Sequence, residues 1–254
     1  MQRNLETVQS QSGITPAFDG TVDSLLASMK NSGISISLVN NVILKPELMR
    51  KANDWTASAV ARNDSLVGMG YIVAGAPESA DEVQRCVETL HFKALKIHHS
   101  HSKILPNDSR NDPIYEKISE LGVPVLFHCG KNPFTKNSAA QYSLPSGFRS
   151  VLASFPKMRT VLAHLAGYAD SPREALDLLS DFPNGRGDTA VADISKVNFG
   201  EIVSKIGTGK LVFGSDFPIY DPKILLPALR ASLSQVDFET ISSENPAALF
   251  NLEK

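Results

Sequence analysis

Short apolar runs alternate along the chain with stretches of helical period, and that alternation predicts a parallel α/β fold. From Thr21, the residues Val22, Leu25, Leu26 and Met29 recur on one helical face, with Thr21 as N-cap and Gly33 as stop. Ile34 to Leu44 reads as a β-branched strand, then a helix from about Pro46 to Arg62 and a strand around Leu66 to Val73. Ser79 to Leu90 reads as helix and Phe92 to His98 as strand. Asp112-Pro113 opens a helix that ends at Gly122, before a strand from Val123 to His128. The helix carrying Phe148, Val151, Leu152 and Phe155 closes at Pro156, and a strand runs from Thr160 to His164. Ser171-Pro-Arg-Glu174 has the form of a capping box. Thr189 to Ile194 and Leu211 to Ser215 read as the last strands, Arg186-Gly-Asp188 as a turn, and Asp221-Pro222 as a helix start.

Strand tips fall at His98, His128, His164, Ile194 and Asp216. Most intervals lie near the roughly 31 residues per unit of an eight-fold α/β barrel of ~250 residues. The expectation is a TIM (β/α)8-like barrel, one domain over residues 1–254, with residues 1–20 irregular. Only seven strands are visible. The first is missing or irregular, because residues 1–13 are polar and Gly13-Ile14-Thr15-Pro16 is short and limited by proline.

Three apolar runs end on an ionisable group: Pro124-Val-Leu-Phe-His128, Thr160-Val-Leu-Ala-His164 and Leu211-Val-Phe-Gly-Ser-Asp216. Buried parallel strands read as unbroken apolar runs, and barrel active sites sit at strand C-termini, so His128, His164 and Asp216 are expected around one mouth. Imidazole and carboxylate suit proton transfer or a divalent ion such as zinc. Lys96 and His98, two apart on one strand, share a side and extend the site as substrate-binding groups. His99 and His101 read as solvated loop residues, and His91, before the strand, carries no chemistry.

Composition narrows the partners. With 25 basic and 27 acidic residues, the net charge of −2 gives no general reason to bind nucleic acid or an anionic membrane, so a small molecule is expected. Two cysteines without metal-type spacing, no apolar leader and no membrane-length apolar run point to a cytoplasmic protein. Gly68-Met-Gly70 lacks the third glycine of a dinucleotide fingerprint, and there is neither a lysine-bearing phosphate loop nor a Gly-x-Ser-x-Gly elbow.

Leu95-Lys-Ile-His98, Pro106-Asn-Asp108, Pro124-Val-Leu-Phe-His-Cys-Gly130, Val161-Leu-Ala-His-Leu-Ala-Gly167, Phe213-Gly-Ser-Asp-Phe-Pro218 and Glu244-Asn-Pro-Ala-Ala-Leu-Phe250 together resemble the amidohydrolase-related family, the amidohydrolase 2 branch of metal-dependent TIM barrels. The resemblance implies a metal ligand at His128, a ligand or acid-base group at His164, and a metal-binding, proton-handling Asp216. It implies hydrolysis of a C–N, C–O or lactone bond, or non-oxidative decarboxylation, on a small carboxylated or cyclic substrate. Zinc is the expected ion, with manganese as the alternative. The family's opening His-x-His is absent, which leaves at most three protein ligands, so the metal is expected to be weakly held or absent. Two other readings follow from that departure: a metal-free lactonase-like hydrolase, and a catalytically degenerate barrel that binds a ligand or forms a homo-oligomer through its exposed sheet edges.

Overall fold

The computed structural model describes residues 14–131, 141–191 and 194–252. Its strands are β1 (Ser37–Val39), β2 (Leu66–Ile72), β3 (Ala94–Ile97), β4 (Val125–Phe127), β5 (Thr160–Leu162), β6 (Gly185–Asp188) and β7 (Leu211–Val212). They lie side by side in chain order and every pairing is parallel. This is the α/β barrel architecture, left incomplete: among the described residues no eighth strand joins β1 to β7.

The helices run outside: α1 (Val22–Ser32), α2 (Met49–Val60), α3 (Ser79–Gln84), α4 (His99–Ser102), α5 (Asp112–Leu121), α6 (Ser146–Ser154), α7 (Pro172–Asp181), α8 (Phe199–Ile206), α9 (Pro222–Ala231), α10 (Gln235–Glu239) and α11 (Asn245–Phe250). Their starts and stops follow local chemistry. The Thr21 hydroxyl accepts from Ser24 N–H at α1, Gly33 closes that helix with φ 70°, and Asp221 caps α9 through Lys223 N–H.

Two apolar layers result from the two-residue period of the strands. Outward side chains such as Leu95, Ile97, Val125, Phe127 and Leu162 pack against Ile114, Ile118, Phe148, Leu152 and Leu179 from the helices. Inward ones, Leu38, Met69, Ala94, Leu126, Val161 and Val212, meet Leu249, Phe250 and Leu252, which plug the floor of the barrel. Leu38 on β1 and Val212 on β7 therefore share one inner cluster although their strands do not pair among the described residues. Outside them the helices meet beside that gap. Helix α1 packs on α9, Ala17 and Phe18 N–H donate to the carbonyls of Ile219 and Pro218 at 3.2 Å each, and the Phe18 and Phe217 rings stack at 4.9 Å.

Several local expectations are corrected. The first strand shrinks from Ile34–Leu44 to three residues, β1 having a neighbour on one side alone among the described residues. The sixth strand is Gly185–Asp188, not Thr189–Ile194, so Arg186-Gly-Asp188 is strand rather than turn. The last strand covers Leu211–Val212. The helix from Ser79 passes into a π-helical turn over Arg85–Thr89. At Ser171 the side chain makes no capping hydrogen bond, so the capping box is not formed.

Candidate active site

Successive strands deliver their chemistry to one end of the sheet. Lys96 is the penultimate residue of β3, His98 follows that strand, His128 follows β4, His164 comes two residues after β5, and Asp188 ends β6. Lys96 lies two residues beyond the inward-facing Ala94 and points the same way. With Asp216 they line an open cavity of about 1750 Å³.

The histidines form a packed group. His128 and His98 lie ring on ring with centroids 3.9 Å apart, and His101 continues the stack at 3.6 Å from His98. His164 meets His128 nearly at right angles, its Nε2 3.1 Å from His128 Nδ1. The Tyr71 hydroxyl lies 3.0 Å from His101 Nδ1. Burial, joined by the neighbouring histidines and Lys96, holds His98 and His128 well below the ordinary imidazole range, and burial brings His101 to about 4. His128 Nε2 is buried without a hydrogen-bond partner among the described residues.

His164 is held by an unusual backbone. His164, Leu165 and Ala166 have φ of 57°, 54° and 56°, and Gly167 follows at 75°. Each non-glycine residue in that left-handed region costs roughly 1–2 kcal/mol. Glycine is required at position 167 because a Cβ there would stand 3.0 Å from the Gly130 backbone. The turn is fastened by β6: Asp188 Oδ1 accepts from His164 N–H at 2.8 Å and from Ala190 N–H at 3.1 Å, while the Ala190 carbonyl lies 2.7 Å from His164 Nδ1.

Lys96 is 9% exposed and makes neither a hydrogen bond nor an ion pair among the described residues. Burial lowers its pKa, against the pull of Asp216 and Asp188. Asp188 is raised by its own burial, opposed by His164 and Lys96. Asp216 differs from the rest: it is exposed, has φ 54°, and its carboxylate makes no hydrogen bond among the described residues.

Thus Lys96, His98, His128 and His164 come together, and Asp216 stands apart on the cavity wall. Two participants, Asp188 and His101, were not expected from sequence. Asp188 was hidden by the misplaced sixth strand. His101, read as solvated, is instead folded onto His98 by α4. His99, also read as solvated, is fully buried on the outer side, where its Nε2 lies 2.8 Å from the Tyr115 hydroxyl. Among the described residues no three His, Cys, Asp or Glu side chains are grouped to hold a metal ion.

The model of the family described as amidohydrolase matches residues 16–252. The chain belongs to this amidohydrolase family. Its members are enzymes, and solved structures share the incomplete barrel's fold. An uncharacterised TIM-barrel protein from Bordetella bronchiseptica is 17% identical with a TM-score of 0.77, over 98% of this chain and 90% of that one. A putative amidohydrolase from Staphylococcus aureus is 20% identical at 0.75, over 97% and 96%. A dihydroxybenzoic acid decarboxylase from Polaromonas sp. JS666, solved with manganese and the inhibitor 2-nitroresorcinol, is 17% identical at 0.74, over 98% and 94%.

Proposed function

We propose that the cavity at the strand ends is the active site of an enzyme that hydrolyses or decarboxylates a small carboxylated substrate, with the Lys96 ammonium binding the carboxylate. One observation carries this reading: a buried lysine faces the cavity with no hydrogen bond or ion pair among the described residues. An unpaired buried cation is costly, and an entering carboxylate supplies the charge-assisted partner it lacks.

The donor set was tested for the family's divalent ion. His128 Nε2, buried and unpartnered, suits a cation. Its neighbours do not complete a site: His98 lies flat against His128, His164 turns Nε2 toward it, and Asp216 is exposed. The described residues do not complete a site for a resident ion.

The chain's own groups then carry the protons. In hydrolysis, the attacking water gives its proton to the bare His128 Nε2 while the His128 Nδ1 proton shifts to His164 Nε2, so that His164 takes up the charge, and Asp216 relays a proton from solvent to the leaving oxygen or nitrogen. In decarboxylation, the C–C bond to the carboxylate breaks, CO2 leaves, and the carbon takes a proton relayed from solvent by Asp216. His98 packs against the bound substrate. The likeness to the Polaromonas decarboxylase supports the second chemistry, and family membership supports the first.

A panel of lactones, N-acyl acids and aromatic acids, followed by acid release and by CO2 release, tests the reading. Asp216→Asn should abolish turnover and Lys96→Met should raise KM for carboxylated substrates; unchanged kinetics in both refutes it. Ligand binding without any turnover would favour a binding barrel. A second reading, an enzyme using zinc or manganese, requires these side chains to regroup around His128 Nε2 and draws its support from the manganese of the Polaromonas structure. Metal analysis of the purified protein and loss of activity on chelation would support it.

A further inference from the structure

We propose that Asp188 is a positioning residue which, through Ala190 and His164, fixes the tautomer of His128, a residue of the cavity lining, and so leaves its buried Nε2 unprotonated. The inference rests on the cavity being the active site, and it begins with an atom whose role is not negotiable. The Ala190 carbonyl can only accept, so His164 Nδ1, 2.7 Å away, carries a proton and donates it. In the neutral ring His164 Nε2 is then a lone pair. The atom facing it at 3.1 Å, His128 Nδ1, must be the donor. A neutral His128 protonated at Nδ1 has a bare Nε2, and that is the atom with no hydrogen-bond partner among the described residues.

Asp188 anchors the start of this chain. Its Oδ1 accepts from the backbone N–H groups of both His164 and Ala190, at 2.8 and 3.1 Å. It therefore ties the left-handed turn that carries the imidazole to the residue whose carbonyl sets the imidazole's tautomer. Thr189 reinforces the anchor from the next position, its hydroxyl donating to the Gly214 carbonyl and accepting from Gly214 N–H at 3.1 Å each. The same Asp188 side chain faces the Gly214 backbone, where an added Cβ would meet it at 3.2 Å. The consequence for ligands is chemical: whatever binds His128 Nε2 is a hydrogen-bond donor, such as a water, hydroxyl or amine, or a cation. An acceptor such as a carbonyl or carboxylate is refused there and is left to Lys96.

Nitrogen-15 NMR of the full chain with labelled histidine reads the tautomers without any substrate. The six histidines are assigned by the signals lost in single His→Gln variants. At neutral pH, His164 and His128 should each show protonated Nδ1 and unprotonated Nε2. In Asp188→Ala both rings should populate the two tautomers, and Asp188→Asn, which keeps an acceptor oxygen, should restore the single form. A protonated Nε2 on His128 in the unmodified protein overturns the inference, as do tautomers unchanged in Asp188→Ala. If Asp188→Ala does not fold, the measurement on the unmodified protein still decides the first point. Absence of turnover on every substrate would count against the proposed function and leave this readout intact.

Discussion

His98 and His128 lie face to face, ring centroids 3.9 Å apart and planes within 10°. Two imidazolium rings at that distance would repel strongly in a buried setting, so the contact belongs to neutral rings. With His101 stacked beyond His98, and His99 buried behind the same strand end, four histidines are stored in their uncharged form.

The first prediction concerns pH. Unfolded histidine titrates near 6.5, whereas burial holds His99 at about 3 and His101 at about 4, with His98 and His128 also well below the ordinary value. Below pH 6.5 the unfolded chain binds protons that the folded chain refuses. Stability therefore falls as pH falls from 6.5 toward 4, by up to about 1.4 kcal/mol per pH unit for each such histidine. Urea unfolding at pH 7.5, 6.0 and 5.0 measures it; a midpoint independent of pH refutes it.

His99→Phe isolates one share of that effect. The ring sits 5.5 Å from Phe127 and 5.6 Å from Phe148, and Tyr115 keeps its own hydrogen bond to the Pro106 carbonyl at 2.9 Å when the imidazole is gone. The variant should fold, and its unfolding free energy should depend on pH less steeply between 4 and 6, by about 1.4 kcal/mol per pH unit. An unchanged slope would show that His99 is not held neutral.

Lys96→Met should separate stability from function. Removing a buried, unpaired ammonium while keeping its aliphatic volume should stabilise the fold by roughly 1 kcal/mol. Binding of carboxylated ligands should weaken at least tenfold. Calorimetric titration beside urea denaturation reads both quantities, and a destabilised variant would mean that Lys96 is structural.

Gly68→Ala tests why the Gly68-Met-Gly70 pattern exists in a chain with no dinucleotide site. A Cβ at position 68 would stand 2.1 Å from the Phe92 ring, so β2 uses glycine to seat that ring against its backbone. Overpacking should cost about 1–3 kcal/mol, seen as a lowered urea midpoint with little change in slope.

What the sequence revealed depends on where burial came from. Strands β2 to β5 were legible because their own side chains are apolar: Leu95 and Ile97, Val125 and Phe127, Val161 and Leu162. Strand β6 was not, because Gly185-Arg-Gly-Asp188 contributes almost no apolar side chain. A Cβ added at Gly185 or Gly187 would stand 3.1–3.4 Å from Leu152, Leu179 or Leu165 of neighbouring elements, so the hydrophobic signal sits in other segments. Asp188 was lost with that strand. His99 and His101 misled for the opposite reason: Ser100, Ser102 and Lys103 give the stretch the composition of a loop, yet α4 folds both imidazoles inward. Asp216 lines the cavity, as its place after the last strand implies, but its exposure has no local signature.

The contact of α1 with α9, beside strands β1 and β7 that do not pair with each other among the described residues, has a consequence for motion. Amide hydrogens of Ser37–Val39 and Leu211–Val212 belong to strands anchored on one flank, whereas those of β3 to β5 are anchored on both. Exchange with solvent should therefore begin at the seam and move inward, so that the wall opens like a book along one spine while the histidine stack, on the far pages, is the last part to loosen.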